Sequence, residues 1–343
     1  MLPEKKFKNP RARHNFQGRT CSILAVGSYV PERVLANADL EKMVETTDEW
    51  IVSRTGIKER RMARKHEATS DLATRAALVA MERAKVTPDQ IDLIILATIT
   101  PDMPFPSTAC LVQKKIGASR AAAFDIQAAC SGFIFGLEVG QQFIMSRTYD
   151  TVLVIGAEKL SSIINWSDRN TCVLFGDGAG AAVLRNRPHA HGLLTACMGS
   201  DGGRAGLLCM PGGGSAHPPT HETVSAGMHF LRMDGKETFK NAVNAMHAAA
   251  EEVLRRCELE VSQIKCIIPH QANRRIIDAV TERLGAKPEQ VFVNLHKYGN
   301  TSAASVAIAL DEAVETGHIQ RGDLVLLIVF GAGLTWGAAV IEW

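Results

Sequence analysis

Several common signatures are missing from the sequence. None of the eight cysteines stands in a C-x-x-C pair, which removes support for a zinc ribbon or a thioredoxin-like redox site. The longest apolar run, residues 324–334, is shorter than the roughly 20 residues that a spanning helix needs. The first residues are basic and lack the apolar stretch of a secretory signal. These absences predict a cytoplasmic protein with reduced thiols and no membrane partner.

An excess of charge of one sign is also missing. The chain has 38 Lys and Arg residues against 36 Asp and Glu residues, for a net charge of +2. This balance gives no overall attraction to nucleic acid, so an acidic partner would have to meet a local basic patch. With 343 residues, 46% of them hydrophobic, the chain can bury an ample core.

Strand-like and helix-like patterns alternate along the chain. Continuous apolar runs predict strands at 92–98, 121–126, 151–158, 264–269, 291–295 and 323–330, with a last strand at 335–343. Small and apolar residues at helical spacing predict helices at 131–146, 236–257 and 273–284. Strands that alternate with helices indicate an α/β protein with a parallel or mixed sheet.

The first and second halves of the chain resemble each other in sequence. AFDIQAACSGFIFGLEV matches VFVNLHKYGNTSAASVAIAL as strand, tight loop and helix, and YDTVLVIGAE matches GDLVLLIVFGAG. The repeat predicts two copies of one βαβ-type unit whose loops meet in the middle of the molecule. We therefore divide the chain into a disordered extension (1–20), a first half (21–185), a linker and surface insertion (186–235) and a second half (236–343).

Cys130 is a candidate nucleophile because it lies between a predicted strand and a predicted helix, in QAACSGF. The positive end of a helix dipole lowers the pKa of a thiol and makes it nucleophilic at neutral pH. The alternative is an inert buried cysteine, which is the usual place of a free thiol.

His270, Asn300 and the turn at 330–333 can each be interpreted either as part of a catalytic site or as an ordinary structural feature. His270 follows a buried strand and is expected in a crevice, although a surface histidine is the plain alternative. Asn300 supplies an amide donor or merely caps a helix. The FGAG turn at 330–333 exposes backbone N–H groups that suit an oxyanion hole, or is an ordinary reverse turn.

The glycine-rich segment FGDGAGAA (175–182) resembles a nucleotide-binding loop at first sight. Its spacing is G-x-G-x-G, not G-x-G-x-x-G, and a strand-like AAVLR follows instead of a long helix. Both points argue against a dinucleotide site.

Taken in order, the motifs from about Cys21 to Trp343 resemble the β-ketoacyl-ACP synthase III family of the thiolase superfamily. They are DEWIVSRTGI, FPSTAC, AACSGF, FGDGAGAA, PHQANRRI, GNTSAAS and FGAGLTWG. The resemblance implies a thiolase-like fold with duplicated βαβαβαββ halves in a five-layered α-β-α-β-α arrangement. It also implies decarboxylative Claisen condensation of a short acyl-CoA, such as acetyl-CoA, with malonyl-ACP, the initiating step of type II fatty acid synthesis.

The resemblance also assigns roles to particular residues. It implies that Cys130 carries the acyl group while His270 and Asn300 promote decarboxylation, with the backbone N–H groups of Cys130 and Ala332 as the oxyanion hole. Coenzyme A would be bound by Trp50, Arg54, Arg169 and Asn273. The acyl carrier protein would dock on Gln271, Ala272, Asn273, Arg274 and Arg275.

The same resemblance implies a homodimer in which Phe105 closes the acyl pocket of the partner. It implies no metal and no resident cofactor, since the coenzyme A thioester is a substrate. Two departures stand out: Ala332 replaces a glycine that many members have, and Glu282 lies where the docking helix is often basic.

Two alternatives remain open. One is a related ketosynthase of secondary metabolism that uses another primer or malonyl-CoA. The other is a nucleotide-binding or structural protein with an inert Cys130. Other branches of the superfamily fit less well, because FGAGLTWG has no second catalytic cysteine, position 300 is not histidine, and no glutamate lies within FPSTAC or just before it.

Overall fold

The computed structural model describes residues 20–187 and 192–343. The interpretation of residues 1–20 as a disordered extension therefore falls outside the described residues, apart from Thr20. No helix within the described ranges is long and apolar enough to cross a membrane.

Thirteen strands and eleven α-helices make up the described chain. The strands are β1 (Cys21–Tyr29), β2 (Arg33–Ala36), β3 (Glu59–Met62), β4 (Leu93–Ala97), β5 (Ala122–Ile126), β6 (Thr151–Glu158), β7 (Gly178–Asn186), β8 (Leu193–Ser200), β9 (Leu208–Cys209), β10 (Arg232–Met233), β11 (Cys266–Pro269), β12 (Leu324–Gly331) and β13 (Thr335–Glu342). The helices are α1 (Asn37–Leu40), α2 (Asp48–Thr55), α3 (Thr69–Ala84), α4 (Thr108–Ile116), α5 (Gly132–Met145), α6 (Arg169–Cys172), α7 (His221–Ser225), α8 (Gly235–Cys257), α9 (Arg274–Arg283), α10 (Leu295–Tyr298) and α11 (Ser305–Glu315).

The two main sheets repeat one topology. The first has the order β1-β7-β6-β4-β5 and the second has the order β8-β13-β12-β11. In each sheet the first three strands pair antiparallel, and the next strand pairs parallel with the third. The predicted duplication is therefore confirmed in the strand pairing itself.

The predicted strand at 291–295 is wrong. Only Val291 forms a parallel bridge, with Ile267, at the position that β5 takes in the first sheet. The side chain of Gln271, more than 20 positions earlier in the chain, competes for the same backbone groups. Its Oε1 accepts hydrogen bonds from the N–H groups of Asn294 (3.0 Å) and Leu295 (3.2 Å). These groups are then unavailable to a neighbouring strand.

The range 186–235 is not only a linker and insertion. It contains β8, the edge strand of the second sheet, which pairs with β13 and is the counterpart of β1. The second unit therefore begins near Leu193, earlier than the expected residue 236. Short apolar residues between charged and glycine-rich stretches concealed β8 in the sequence. Leu208 of β9 and Met233 of β10, which also belong to this range, line the cavity described below.

Five layers follow from the packing, as the family resemblance implied. Helices α3 and α4 cover the outer face of the first sheet, and α8 and α9 cover the outer face of the second. Helices α5 and α11 lie between the sheets, where their apolar residues join one buried cluster with both inner faces. Because α5 and α11 each begin at the centre of the molecule, the loops before them meet there.

Candidate active site

The three candidate catalytic side chains line one cavity of about 750 Å³. Cys130 lies in the 3-10 turn Ala129–Ser131 between β5 and α5, and His270 directly follows β11. Asn300 lies between α10 and the 3-10 turn Ser302–Ala304 that precedes α11. Each residue thus stands at the end of a strand or a short helix, and the duplicated fold brings the two halves together at this point.

Burial controls the state of the Cys130 thiol. The side chain is only 7% exposed, and burial raises the pKa of Cys130 to about 12. The expectation that the helix lowers this pKa is wrong, because loss of solvation outweighs the favourable contacts of the thiolate. The thiol therefore carries its proton in the resting protein, and attack requires a proton acceptor.

His270 is held as a neutral hydrogen-bond donor. Burial lowers the pKa of His270 to about 3, so the imidazole is uncharged at neutral pH. Its Nδ1 lies 2.6 Å from the hydroxyl oxygen of Ser305. A hydroxyl that donates to Nδ1 leaves the ring proton on Nε2, the nitrogen available to the cavity. Ser305 was not singled out from the sequence, although it belongs to the GNTSAAS motif.

Asn300 is oriented by its own turn. Its Oδ1 accepts a hydrogen bond from the Ser302 N–H at 2.8 Å, which leaves the side-chain NH₂ for the cavity. The Asn300 N–H donates to the Leu174 carbonyl at 2.8 Å. The preceding Gly299 has φ +63, and a β-carbon there would lie 2.8 Å from the Leu174 oxygen. The turn therefore needs glycine at this position.

The turn after β12 packs directly against the nucleophile. A β-carbon on Gly331 would lie 2.7 Å from the Cys130 amide nitrogen, a separation that only glycine permits. The Thr335 hydroxyl lies 2.9 Å from the Ala128 carbonyl oxygen and 3.0 Å from that of Ala332, which ties the turn to the Cys130 loop. Ala332 and Cys130 both line a second cavity of about 220 Å³.

The glycines of the segment FGDGAGAA allow its backbone to pack closely against the loop that carries Asn300. Strand β7 begins at Gly178, so the predicted strand after the glycines is confirmed and the context of a dinucleotide site is missing. The Gly176 N–H donates to the Asn300 carbonyl at 3.0 Å. A β-carbon on Gly176 would lie 2.3 Å from the Tyr298 carbonyl oxygen. The glycine lets this loop support Asn300.

Trp50 lies at the cavity entrance between two arginines. The guanidinium carbons of Arg54 and Arg169 each lie 4.9 Å from the centre of the indole. Trp50, Arg54 and Asn273 line the large cavity, and Arg169 donates a hydrogen bond to the Glu45 carbonyl at 2.8 Å. A flat aromatic face beside two cations suits an aromatic ligand with phosphate groups.

The expected docking segment, residues 271–275, divides into two parts. Gln271 is 1% exposed and its side chain bonds to backbone groups, so its assignment to carrier-protein binding is wrong. Asn273 caps α9, because its Oδ1 accepts a hydrogen bond from the Arg275 N–H at 2.9 Å. Arg274 and Arg275 are exposed, and Ala272 and Arg275 line the large cavity.

Helix α8 adds a basic and an aromatic residue that the sequence patterns did not single out. Lys236 and Phe239 line the large cavity, and the guanidinium of Arg275 lies 5.9 Å from the centre of the Phe239 ring. Three cationic side chains therefore line the large cavity, from Arg54, Lys236 and Arg275. Only the start of a helix near residue 236 was visible in the sequence.

Phe105 is 84% exposed and lines neither the large nor the small cavity. The smaller cavity continues from Cys130 past apolar side chains, several of which belong to the insertion. These side chains are Ile99, Leu160, Ile163, Leu208, Met210 and Leu231.

Family models and similar proteins of known sequence all indicate the same family. Residues 124–202 match the family model of 3-oxoacyl-[acyl-carrier-protein (ACP)] synthase III, and residues 254–343 match the model of its C-terminal part. The chain is 58% identical over 321 residues to a β-ketoacyl-[acyl-carrier-protein] synthase III of Caldanaerobacter subterraneus subsp. tengcongensis. That match covers 94% of this chain and 97% of the relative.

Solved structures agree with the sequence matches. The 3-oxoacyl-[acyl-carrier-protein] synthase III of Aquifex aeolicus VF5 is 48% identical and superposes with a TM-score of 0.88, covering 94% of this chain and 100% of that chain. A priming β-ketosynthase of the R1128 polyketide pathway is 37% identical with a TM-score of 0.87, covering 94% of this chain and 96% of that chain.

Proposed function

The chain belongs to the β-ketoacyl-[acyl-carrier-protein] synthase III family, and on this basis we propose that it condenses a short acyl-CoA, such as acetyl-CoA, with malonyl-ACP. The products are 3-oxoacyl-ACP, coenzyme A and CO₂, and the reaction initiates fatty acid synthesis. The observation that carries the proposal is the shared cavity of Cys130, His270 and Asn300. All the chemistry is supplied by side chains and backbone groups, so we propose no metal and no resident cofactor.

The first step is acyl transfer to Cys130. The thiol loses its proton, its sulfur attacks the thioester carbon, and the bond from that carbon to the coenzyme A sulfur breaks. The negative charge on the carbonyl oxygen requires donors, and we assign this role to the backbone N–H groups of Cys130 and Ala332, two residues that line the same small cavity. The acyl chain enters the apolar part of that cavity, whose volume of about 220 Å³ favours short primers.

The second step is decarboxylation and condensation. Loss of CO₂ from malonyl-ACP leaves an enolate, which attacks the acyl carbon and releases the Cys130 sulfur. The enolate oxygen requires neutral donors in a dry site, and His270 Nε2–H and the Asn300 NH₂ supply two. His270 is suited to this role because its pKa, lowered to about 3 by burial, keeps the ring neutral.

The overall reaction has a direct test. Mixing the protein with acetyl-CoA should release about one equivalent of free coenzyme A per chain, and adding malonyl-ACP should then release CO₂. The secondary-metabolism alternative has some support in the similarity to the R1128 priming ketosynthase. It predicts a different preferred primer, or malonyl-CoA in place of malonyl-ACP, in the same assay. Absence of coenzyme A release from acetyl-CoA and from every other acyl-CoA primer tested would overturn both.

Coenzyme A should lie with its adenine on Trp50 and its phosphates near Arg54 and Arg169. Trp50→Ala is expected to weaken the binding of free coenzyme A roughly 5- to 150-fold, since stacking of a base on an aromatic ring contributes about 1–3 kcal/mol. Titration calorimetry measures the change. Trp50→Phe is the control, because it keeps a stacking surface and most of the affinity. Equal affinities of the alanine variant and the unmodified protein would refute this contact.

The acidic carrier protein should dock at Arg274 and Arg275, beside the entrance of the large cavity. Ala272 and Asn273 line the cavity next to this surface. Arg275→Glu is expected to raise the KM for malonyl-ACP about tenfold, because a charge at the rim of an interface acts on association. Higher salt should reduce the difference between variant and unmodified protein. Arg283→Glu makes the same charge change at the far end of α9, where Arg283 instead bonds to Asn244. If both variants behave alike, the docking site lies elsewhere.

A homodimer in the cytoplasm completes the proposal. Phe105 presents an exposed aromatic ring and lines neither the large nor the small cavity, which supports a role against the acyl pocket of a second copy. All eight cysteines are free in the structure, in keeping with a reducing compartment.

A further inference from the structure

The buried carboxylate of Glu158 lies near Cys130 and has no role in the two steps described above. Glu158 is the last residue of β6 and is fully buried. Its carboxylate accepts hydrogen bonds from the hydroxyl groups of Thr98 (3.1 Å) and Thr100 (2.6 Å) and from the Ile99 N–H. Within the described chain it forms no ion pair. A buried carboxylate without a cation is expensive in free energy, and such groups are concentrated at functional sites.

Ser302 connects Glu158 with Cys130. Its hydroxyl donates to Glu158 Oε1 at 3.2 Å. Ser302 lines the small cavity together with Cys130, and its side chain favours the thiolate form of Cys130. The duplicated fold explains the contact, since Ser302 occupies in the second half the place of Ala129 in the first. Both residues have positive φ, +50 and +46, so the two turns have the same unusual backbone where they meet. The route from sulfur to carboxylate thus passes through one hydroxyl.

His270 is poorly suited to accept the proton of Cys130. Its Nδ1 is engaged with Ser305, and its Nε2 must carry hydrogen to stabilise the enolate. A ring nitrogen that donates cannot accept a proton in the same state. The thiol proton therefore needs another destination, and a carboxylate at the end of a short hydrogen-bond chain provides it.

We propose that Glu158 and Ser302 form a proton relay that takes the Cys130 proton during acyl transfer and returns it during condensation. The inference rests on the proposed function. As the sulfur attacks, its proton passes to Ser302 Oγ, and the Ser302 proton passes to Glu158. Coenzyme A leaves as a thiolate and takes a proton from solvent. When the enolate releases the Cys130 sulfur, the same chain returns the proton, so one solvent proton is consumed per turnover.

The electrostatics of the site fit a group that alternates between two protonation states. Burial raises the pKa of Glu158 to about 7, while its hydrogen bonds act in the opposite direction. The titratable group that faces it is Cys130, whose thiolate it disfavours. The adjacent Lys159 turns away, because its amine donates to the Arg64 and Glu67 carbonyls. Acyl transfer should therefore slow as the pH falls below about 7, where Glu158 becomes protonated.

The test is the pH profile of the rate of the acetyl-CoA burst. Glu158→Gln keeps the shape of the side chain, but its NH₂ would donate a hydrogen bond to Ser302 and could not accept the proton. Proton transfer from Cys130 through Ser302 would therefore be blocked. We expect the burst rate to fall about 100-fold and to lose its decrease below pH 7, because the titrating base is gone. Ser302→Ala should give the same result, and Ala129 shows that alanine tolerates this backbone conformation.

Thr98→Val distinguishes the relay from a structural role. It removes one hydrogen bond to the carboxylate but leaves the path through Ser302 intact. Since that bond favours the charged form, its loss should move the acid limb of the profile to higher pH without a large loss of the maximal rate. A structural contribution alone would not move the limb.

The outcomes separate the two proposals. No burst from the unmodified protein would refute the proposed function itself. A normal burst whose rate and acid limb survive Glu158→Gln within about threefold would overturn the relay alone. Should Glu158→Gln not fold, an unshifted limb in Thr98→Val together with an unchanged rate in Ser302→Ala would overturn it equally.

Discussion

Cys130→Ala is expected to abolish the release of coenzyme A from acetyl-CoA. Without the sulfur no covalent acyl-enzyme can form, and loss of a nucleophile lowers turnover by roughly four orders of magnitude or more. Rapid mixing with a thiol reagent measures the burst, and mass spectrometry of the intact chain measures the added acetyl group. The variant should show neither. The side chain is buried in a small space beside the Gly331 turn, so alanine should preserve the fold.

Cys110→Ala is the matched control for this experiment. Cys110 is the exposed free cysteine on α4; it accepts a hydrogen bond from the Ser107 hydroxyl and lines neither the large nor the small cavity. It should react with thiol reagents in the unmodified protein, yet its removal should leave the burst intact. Retention of the burst in Cys130→Ala would mean that another group carries the acyl chain, and the site described here would not be the active site.

His270→Ala and Asn300→Ala are expected to separate the two steps of the reaction. Each removes one donor for the enolate, so decarboxylation should fall about 10²- to 10³-fold. The coenzyme A burst should persist, because neither side chain forms the acyl bond. Release of CO₂ from carboxyl-labelled malonyl-ACP measures the second step by itself. The double variant should lose less than the product of the two single effects, since both donors act on one oxygen.

The neutral state of His270 adds a pH test to this pair. A pKa lowered to about 3 means that the ring does not gain a proton between pH 5 and 8. The decarboxylation rate should therefore show no acid limb near pH 6.5, the ordinary pKa of histidine. An acid limb there that disappears in His270→Ala would show that the imidazole titrates and would contradict its role as a permanently neutral donor.

Most expectations from the sequence that concerned local features were confirmed, with the strand at 291–295 as an exception. The loops around Cys130, His270 and Asn300 follow strands or short helices, and their placement depends on apolar runs and glycine turns that neighbouring residues specify. The duplication was also visible, because both halves repeat the same order of strand, loop and helix. A similar pattern of residues over a similar length forms a similar unit wherever it occurs.

Other features depended on contacts between distant residues, and there the sequence failed or gave no signal. Gln271 was interpreted as a surface residue, but its amide is used by backbone groups 21 to 24 positions away. The strand β8 was missed because its partner, β13, lies at the far end of the chain. Glu158 reaches Ser302 across 144 positions, a distance at which no sequence pattern operates.

The sequence by itself determined the α/β class and the repeated unit, and it indicated Cys130, His270 and Asn300 as the candidate nucleophile and enolate donors. Each of these inferences depends on patterns of residues that are close in the chain. The tertiary structure alone decided the protonation of those groups. The pKa of Cys130 is raised and that of His270 is lowered by burial, and burial is a property of everything packed around a side chain. The proximity of the Glu158 carboxylate to the Cys130 thiol is likewise a result of folding, because the two residues and Ser302 come from separate parts of the chain.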